Sequence, residues 1–427
     1  MKKIPLLVLL TLFTGWIVAI SFASSNPTTL TRQHDPVVLM GDQLPDLLGT
    51  ATNEIFVYAF TGGTPAQIPF QMDEQNANGM FVPDGDGLLD GEDELAFMAR
   101  DAGAFEANPT LSTPGGDVDP IYVLTLSDPL TNEQAWAYLY ASPDLAQTFT
   151  EDYVQYDAGN DRITSPGLYS VGFNATGSFR DYLTLGGGGD ILDRDKVRLD
   201  ATFISLPFTV TEEAITKDGV HAIDGPVRVT RVVTSTILLG GTTVTGSGTT
   251  FFYGNVIIQP SSLTTPASPI IVTNLRSSID FNSAATGMTY FDANNPAGVT
   301  INGVADSLDA DPAAEWQEAT GTGGTIITVL DIPDSLPGTS TYYKDDSTPD
   351  TSDTGDQMSY GDAGFQVSNP PQNVQFELLT HTYFLNGQQS NVGATYQNYY
   401  TNPLDVQIAL FEGPTQKIYL PIVKRDQ

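Results

Sequence analysis

Val197-Arg198-Leu199-Asp200-Ala201-Thr202-Phe203 alternates apolar and polar side chains at every step. A period of two places one set on each face of an extended strand. The pattern recurs at Val227, Val229, Arg228 and Thr230, in a run that continues to Leu238-Leu239, and again at Val374, Phe376 and Leu378 against Gln375 and Glu377. Further strands are predicted at Glu54–Phe60, Ile121–Leu126, Trp136–Ala141, Thr249–Ile258, Ile270–Phe281, Gly324–Ile332 and Leu404–Phe411. Gly-Gly, Asp-Gly, Asn-Gly and Pro-rich breaks separate them, as hairpins require. Long 3.6-period stretches are absent, so helix is expected only in short pieces such as Asp309–Glu318. With no fixed repeat period, propellers and solenoids drop out and packed β-sheets remain.

The chain opens on Lys2-Lys3, an apolar run from Ile4 to Ile20 and the small residues Ser21 and Ala23. That is the layout of a secretory signal peptide over 1–23, with an uncleaved anchor as the bland alternative. No Cys follows to carry a lipid, and no second apolar run is long enough to span, so no membrane span is expected after cleavage. Cleavage after Ala23 leaves 404 of the 427 residues and takes the net charge from −34 to −36. A chain of that size is expected to hold two domains, 24–160 and 161–427, with the break at the turn-rich Tyr156-Asp-Ala-Gly-Asn-Asp161. Such a charge repels phosphate backbones, which argues against nucleic acid as a partner. The expected location is secreted, extracellular or on the cell surface.

There is no Cys, so disulfides and thiolate chemistry are excluded. The three His, at 34, 221 and 381, have no zinc-site spacing. No Gly-x-Ser-x-Gly elbow is present. The densest feature is Asp84-Gly-Asp-Gly-Leu-Leu-Asp-Gly-Glu-Asp-Glu94, six carboxylates in eleven residues. Alternating hard oxygen ligands with a Gly at the sharp turn suit Ca²⁺, and crowded carboxylates repel unless neutralised. Asp84, Asp86, Asp90, Asp93 and Glu94 are the candidate ligands. The loop is not a complete EF-hand, because its first ligand position falls on Val82 and its last on Asp93. The bland reading is a polar turn ahead of the strand Leu95–Met98.

Asp345–Asp356 holds five Asp in twelve residues and reads as a mobile surface loop ahead of a calcium loop. Gly186-Gly-Gly-Gly-Asp190 lacks the Gly-Lys-Ser/Thr ending of a phosphate loop and reads as a hairpin tip. Tyr342, Tyr343, Tyr383, Tyr396, Tyr399 and Tyr400 gather toward the C-terminus. Exposed rings there would stack on sugars, but sheet packing is the plainer account.

Three stretches carry a resemblance. Gln67-Ile-Pro-Phe-Gln-Met-Asp73, followed by the Asp/Gly run and Asp93-Glu-Leu-Ala-Phe97, resembles a segment of exported β proteins related to exo-acting rhamnogalacturonan lyases. Asp224-Gly-Pro-Val-Arg-Val-Thr-Arg231 and Glu315–Gly324 are similar to strands of their galactose-mutarotase-like supersandwich. The resemblance implies an all-β fold, a small N-terminal β-sandwich-like domain followed by a larger supersandwich-type β domain. It also implies a carbohydrate partner and a basic or His/Tyr cleft, for which His221 and Arg228 are the candidates. Arg231 lies three residues from Arg228 and faces the other way in a regular strand. The tail Lys417–Gln427 looks like the Tyr-Leu-Pro ends of some secreted proteins, or a last basic strand. Two functions follow: an acidic, calcium-stabilised binding or structural protein that contacts glycans, or a polysaccharide lyase or glycosidase on the same core.

Overall fold

The computed structural model describes residues 30–413 apart from 84, 240–241 and 334–335. The leader 1–23, the tail 417–427 and Asp84 lie outside the described residues.

The fold is nearly all β, with one α-helix among the described residues. Alternation decides it. Ile270–Phe281 falls on an observed strand residue for residue, and Val197–Phe203 lies inside the strand Leu192–Phe203. A small two-sheet sandwich comes first. Its three-stranded sheet runs Pro36–Met40, Glu94–Met98, Phe70–Asp73. Its five-stranded sheet runs Asp405–Leu410, Tyr122–Ser127, Gln134–Ala141, Ile55–Thr61, Thr64–Gln67. Val37, Leu39, Leu95 and Phe97 from the first meet Ile55, Val57, Leu124 and Leu139 from the second in one fully buried core. Asp405–Leu410, from the far end of the chain, pairs with Tyr122–Ser127 as this sheet's edge.

The larger sandwich stacks a nine-stranded sheet on a second five-stranded one. Val229, Phe252, Ile257, Ile326 and Phe384 of the first pack against Leu192, Phe281 and Ala363 of the second. A four-stranded meander adds Ile163, Val171 and Leu183 to the same core. The turn at 158–161 is a hairpin inside that meander, between Gln155–Asp157 and Arg162–Ser165.

Two elements depart from the sequence reading. Thr249–Ile258 is two strands, Thr242–Tyr253 and Val256–Thr264, turning at Gly254-Asn255. Asp309–Glu318 is not helical, and Trp316 already begins a strand. Its carbonyls are taken by side chains instead: Asn295 Nδ2 donates to Asp309 O at 3.0 Å and Asn294 Nδ2 to Pro312 O at 2.7 Å. The helix is Gly393–Thr401, a weak former by composition. Buried Glu318 accepts the N–H groups of Asn391, Val392 and Gly393 at its start, at 2.9, 2.7 and 2.9 Å. Arg32 donates to the Tyr399 and Asn402 carbonyls at its end. Both termini are thus satisfied by charged side chains from elsewhere, with the signs the helix dipole favours.

Candidate functional site

The Asp/Gly run folds as a chain of tight turns with its acids split between jobs. Asp93 is buried, and its two oxygens accept main-chain N–H groups from Gln75 at 2.9 Å and Asp90 at 2.7 Å. Glu94 faces inward and pairs with Arg228. Asp86 closes an Asx turn on Leu88 N, and Asp90 is exposed. Repulsion from Asp86 comes first among the causes that raise the Asp90 carboxyl above its usual range. Glu74, which the sequence reading did not single out, accepts from Gly87 N at 2.9 Å and joins this field. Among the described residues no group of three or more His, Cys, Asp or Glu is arranged to hold a metal ion.

Arg228 is 1% exposed and ties the two sandwiches together. Its Nε donates to Asp73 Oδ2 at 2.7 Å, its Nη1 to the Tyr253 hydroxyl at 3.0 Å, and its Nη2 to Glu94. Gln71 Oε1 accepts from Arg228 N at 3.0 Å while its Nε2 donates to Asp73 Oδ1 at 2.6 Å. Strand alternation puts Gln71 and Asp73 on one face, so the Pro-x-Gln-x-Asp stretch is a docking edge for Arg228. Every polar atom of this cluster points at another. His221 is a strand residue whose Nε2 lies 3.1 Å from the Phe81 carbonyl. A carbonyl only accepts, so Nε2 carries the hydrogen and the ring holds the preceding loop. Arg231, on the other face, forms a two-pronged pair with Asp161 at 3.1 and 2.7 Å and lies 3.7 Å over the Phe173 ring.

Beside Arg231 the nine-stranded sheet opens. The strands Thr242–Tyr253 and Val256–Thr264 share only the pairs Phe251↔Ile258 and Phe252↔Ile257. Beyond them the first stays with Arg228–Leu239 and the second with Gln375–Leu385, so the two diverge. The gap is a groove of about 450 Å³. Phe252, Ile257, Val233 and Ile237 continue the core as its floor, and Ser235, Ser247, Thr250, Gln259 and Ser261 line it with hydroxyls and an amide. Gly246 and Gly248 share the face of Phe252 and leave the floor open.

The outer face of the second five-stranded sheet is charged. Lys196, 1% exposed, reaches Asp280 at 2.6 Å and Asp353 at 3.1 Å. Asp362 is fully buried beside them, and neither of its carboxylate oxygens has a hydrogen-bond partner. Burial first, then Asp362, pushes Asp280 up to about 8. Asp353 belongs to the stretch read as a mobile loop, and it ties that stretch down over the sheet, with Arg276 at 3.8 Å as a second contact. The C-terminal tyrosines pack: Tyr396 and Tyr399 on the helix meet edge-on, and Tyr383 on the sheet below tilts against Tyr396.

No protein-family profile matches this chain, and no curated protein matches it. Among solved structures it is similar to an α-mannosidase from Enterococcus faecalis V583, at TM-score 0.48 and 9% identity, over 90% of this chain and 45% of that one. A glycosyl hydrolase family 38 protein from Enterococcus faecalis gives TM-score 0.46 and 10% identity, over 90% and 46%. The α-N-acetylgalactosaminidase NagBb from Bifidobacterium bifidum gives 0.35 and 11%, over 60% and 39%. The chain spans less than half the length of these three proteins, none of which is a rhamnogalacturonan lyase.

Proposed function

We propose that this chain is an exported, secreted or cell-surface β-sandwich protein that binds a glycan in the groove between Thr242–Tyr253 and Val256–Thr264. One observation carries the reading: a core floor that runs out into an open trough rimmed by hydroxyls. Sugars present apolar C–H faces and hydroxyl edges, and a concave apolar site with a few polar groups suits both. The Arg231–Phe173 stack forms one wall. Among the described residues no helix is long and apolar enough to cross a membrane.

Gly248 offers the test. A Cβ built there meets no described atom within 4 Å, so a side chain can start into the trough, and Gly248→Trp is the substitution chosen to fill it. A glycan bound by the native chain is expected to lose at least about tenfold in affinity with Tm unchanged. An array of neutral and acidic glycans on which the native chain binds nothing would remove the reading.

Calcium is part of the proposal. Asp86, Asp90 and Glu74 are the acids with capacity left, since Asp93 and Glu94 are engaged. Ca²⁺ at millimolar concentration is expected to raise Tm by a few degrees over EGTA by quenching their repulsion. Equal Tm values in the two buffers would exclude it.

A second reading, a glycosidase or lyase, draws on Asp280. A carboxyl held up to about 8 keeps its proton at neutral pH, as a general acid must. The 345–356 stretch closes over it, so activity would require that cover to lift. Hydrolysis or eliminative cleavage of any glycan on the array, lost in Asp280→Asn, is the outcome that favours this reading.

A further inference from the structure

A second cavity, of about 380 Å³, lies where the N-terminal sandwich, the meander and the nine-stranded sheet meet. Its walls include Arg100, Tyr153, Asn255 and Asn386. Arg32, Arg180, Arg194, Arg198, Arg228, Arg231 and Arg276 each lie within 4 Å of a carboxylate. Arg100 and Arg162 form no such pair among the described residues, and of the two only Arg100 lines this cavity, Arg162 lying 3.7 Å over the Tyr182 ring. The Arg100 guanidinium lies over the Tyr153 ring, with Cζ 4.1 Å from its centre. One acid lines the cavity, the exposed Asp152. Asp101, next in sequence, accepts from the Tyr153 hydroxyl through Oδ1 at 2.9 Å; burial pushes it up to about 6, against the pull of the Arg100 charge, which lies more than 4 Å away. A half-buried guanidinium that lines a cavity and has no carboxylate within 4 Å among the described residues is open to an anion.

Asn255 supplies the second observation. It is 5% exposed, and its Oδ1 has no hydrogen-bond partner among the described residues. Its Nδ2 donates to His34 Nδ1 at 2.7 Å. That makes Nε2 of His34 the protonated nitrogen, 3.1 Å from the Tyr396 hydroxyl. Burial first, then Arg100, lowers His34 to about 4, so the ring is neutral and the amide orientation is held. An acceptor this deep without a donor costs stability unless something fills it. Gly254 keeps the space open: a Cβ there would stand 3.1 Å from Tyr153 Cβ and 3.6 Å from Arg100 Nη2.

We propose that this cavity is a binding site for a small hydroxycarboxylate, with Arg100 holding the carboxylate and Asn255 Oδ1 accepting from a hydroxyl. A planar guanidinium fixed on a ring matches a carboxylate in two places. The cavity's size, within the range of small-molecule sites, and its place at a junction between units fit the same role.

The experiment is calorimetric titration of the full chain with three matched pairs: L-lactate and propane-1,2-diol, D-gluconate and D-sorbitol, D-glucuronate and D-glucose. Each pair differs at the carboxylate. At least one acid is expected to bind at least about tenfold tighter than its neutral partner. Arg100→Gln is expected to abolish that preference with Tm retained. Asn255→Asp, which sets a carboxylate beside Arg100, is expected to weaken acid binding as well. Gly248→Trp, remote in the groove, is expected to leave it unchanged, so this site and the glycan groove stand or fall separately. No acid bound, equal affinity within every pair, or a folded Arg100→Gln chain that binds the acid as tightly as the native one overturns the proposal.

Discussion

Arg228→Ala is expected to cost about 3–5 kcal/mol of folding stability, the usual cost of stranding one partner of a buried ion pair. The side chain is 1% exposed and bonds to Asp73, Glu94 and Tyr253 at once. Removing it leaves Asp73, itself 1% exposed, with only Gln71 and Thr230 as donors. Its carboxylate then lies buried without a counter-charge. It also opens a void under Phe251, whose ring centre is 4.8 Å from the guanidinium carbon. Lys in place of Arg restores the charge but not the fork that reaches three acceptors, so Arg228→Lys is expected to recover only part of the loss. Urea unfolding followed by tryptophan fluorescence reads the effect. A loss below about 1 kcal/mol for Arg228→Ala would mean that the two sandwiches do not depend on this cluster.

The second large effect is in pH. Asp280 faces Lys196, Asp353, Asp362, Arg276 and Tyr342 across the sheet and its cover. Its folded pKa, about 8, lies above the ordinary 3.8, so the native state holds that proton more tightly than the unfolded chain. The stability this lends is complete below the unfolded value and drains away as pH rises to about 8. His34 and His381 act oppositely. Burial lowers both to about 4, so their contribution is complete above 6.5 and is lost as pH falls toward 4. Between 6.5 and 8 those two histidines are silent, and the facing carboxyls Asp280 and Asp362, both raised first by burial, carry the pH dependence as a pair. Stability is therefore expected to fall by up to about 1.4 kcal/mol per pH unit in that window. Calorimetric scans should give a higher Tm at pH 6.5 than at pH 8, and Asp280→Asn should flatten the slope. A native Tm that holds level or climbs across the window contradicts the assignment.

Strands were legible because alternation is local: a dozen residues suffice to show that Ile270–Phe281 has two unlike faces. The break at Gly254-Asn255 was not, because both flanks are apolar and extended. The helix Gly393–Thr401 was hidden for a different reason, since its ends are completed by Arg32 and Glu318, remote in sequence. The same distance conceals the polar clusters. Arg228 was singled out by the Gly-Pro-Val-Arg stretch, yet its partners Asp73 and Glu94 lie 155 and 134 positions away. Lys196 carries no signal in the sequence, and nothing local tells that it meets Asp353, 157 positions on. Arg100 lies three residues past the Asp93–Phe97 stretch and gives no local sign that it lacks a carboxylate. That is a property of the assembled neighbourhood, which no window of sequence contains.

The strand Asp405–Leu410 sets the order in which this molecule can be finished. Ribosomal synthesis delivers Tyr122–Ser127 nearly three hundred residues before its neighbour arrives. Until then the first sandwich has a raw hydrogen-bonding margin, the kind that templates aggregation or invites a chaperone. Chains cut short before residue 405 keep that margin for good, so whether this late-made strand has been added separates copies with a closed first sandwich from copies with an open one.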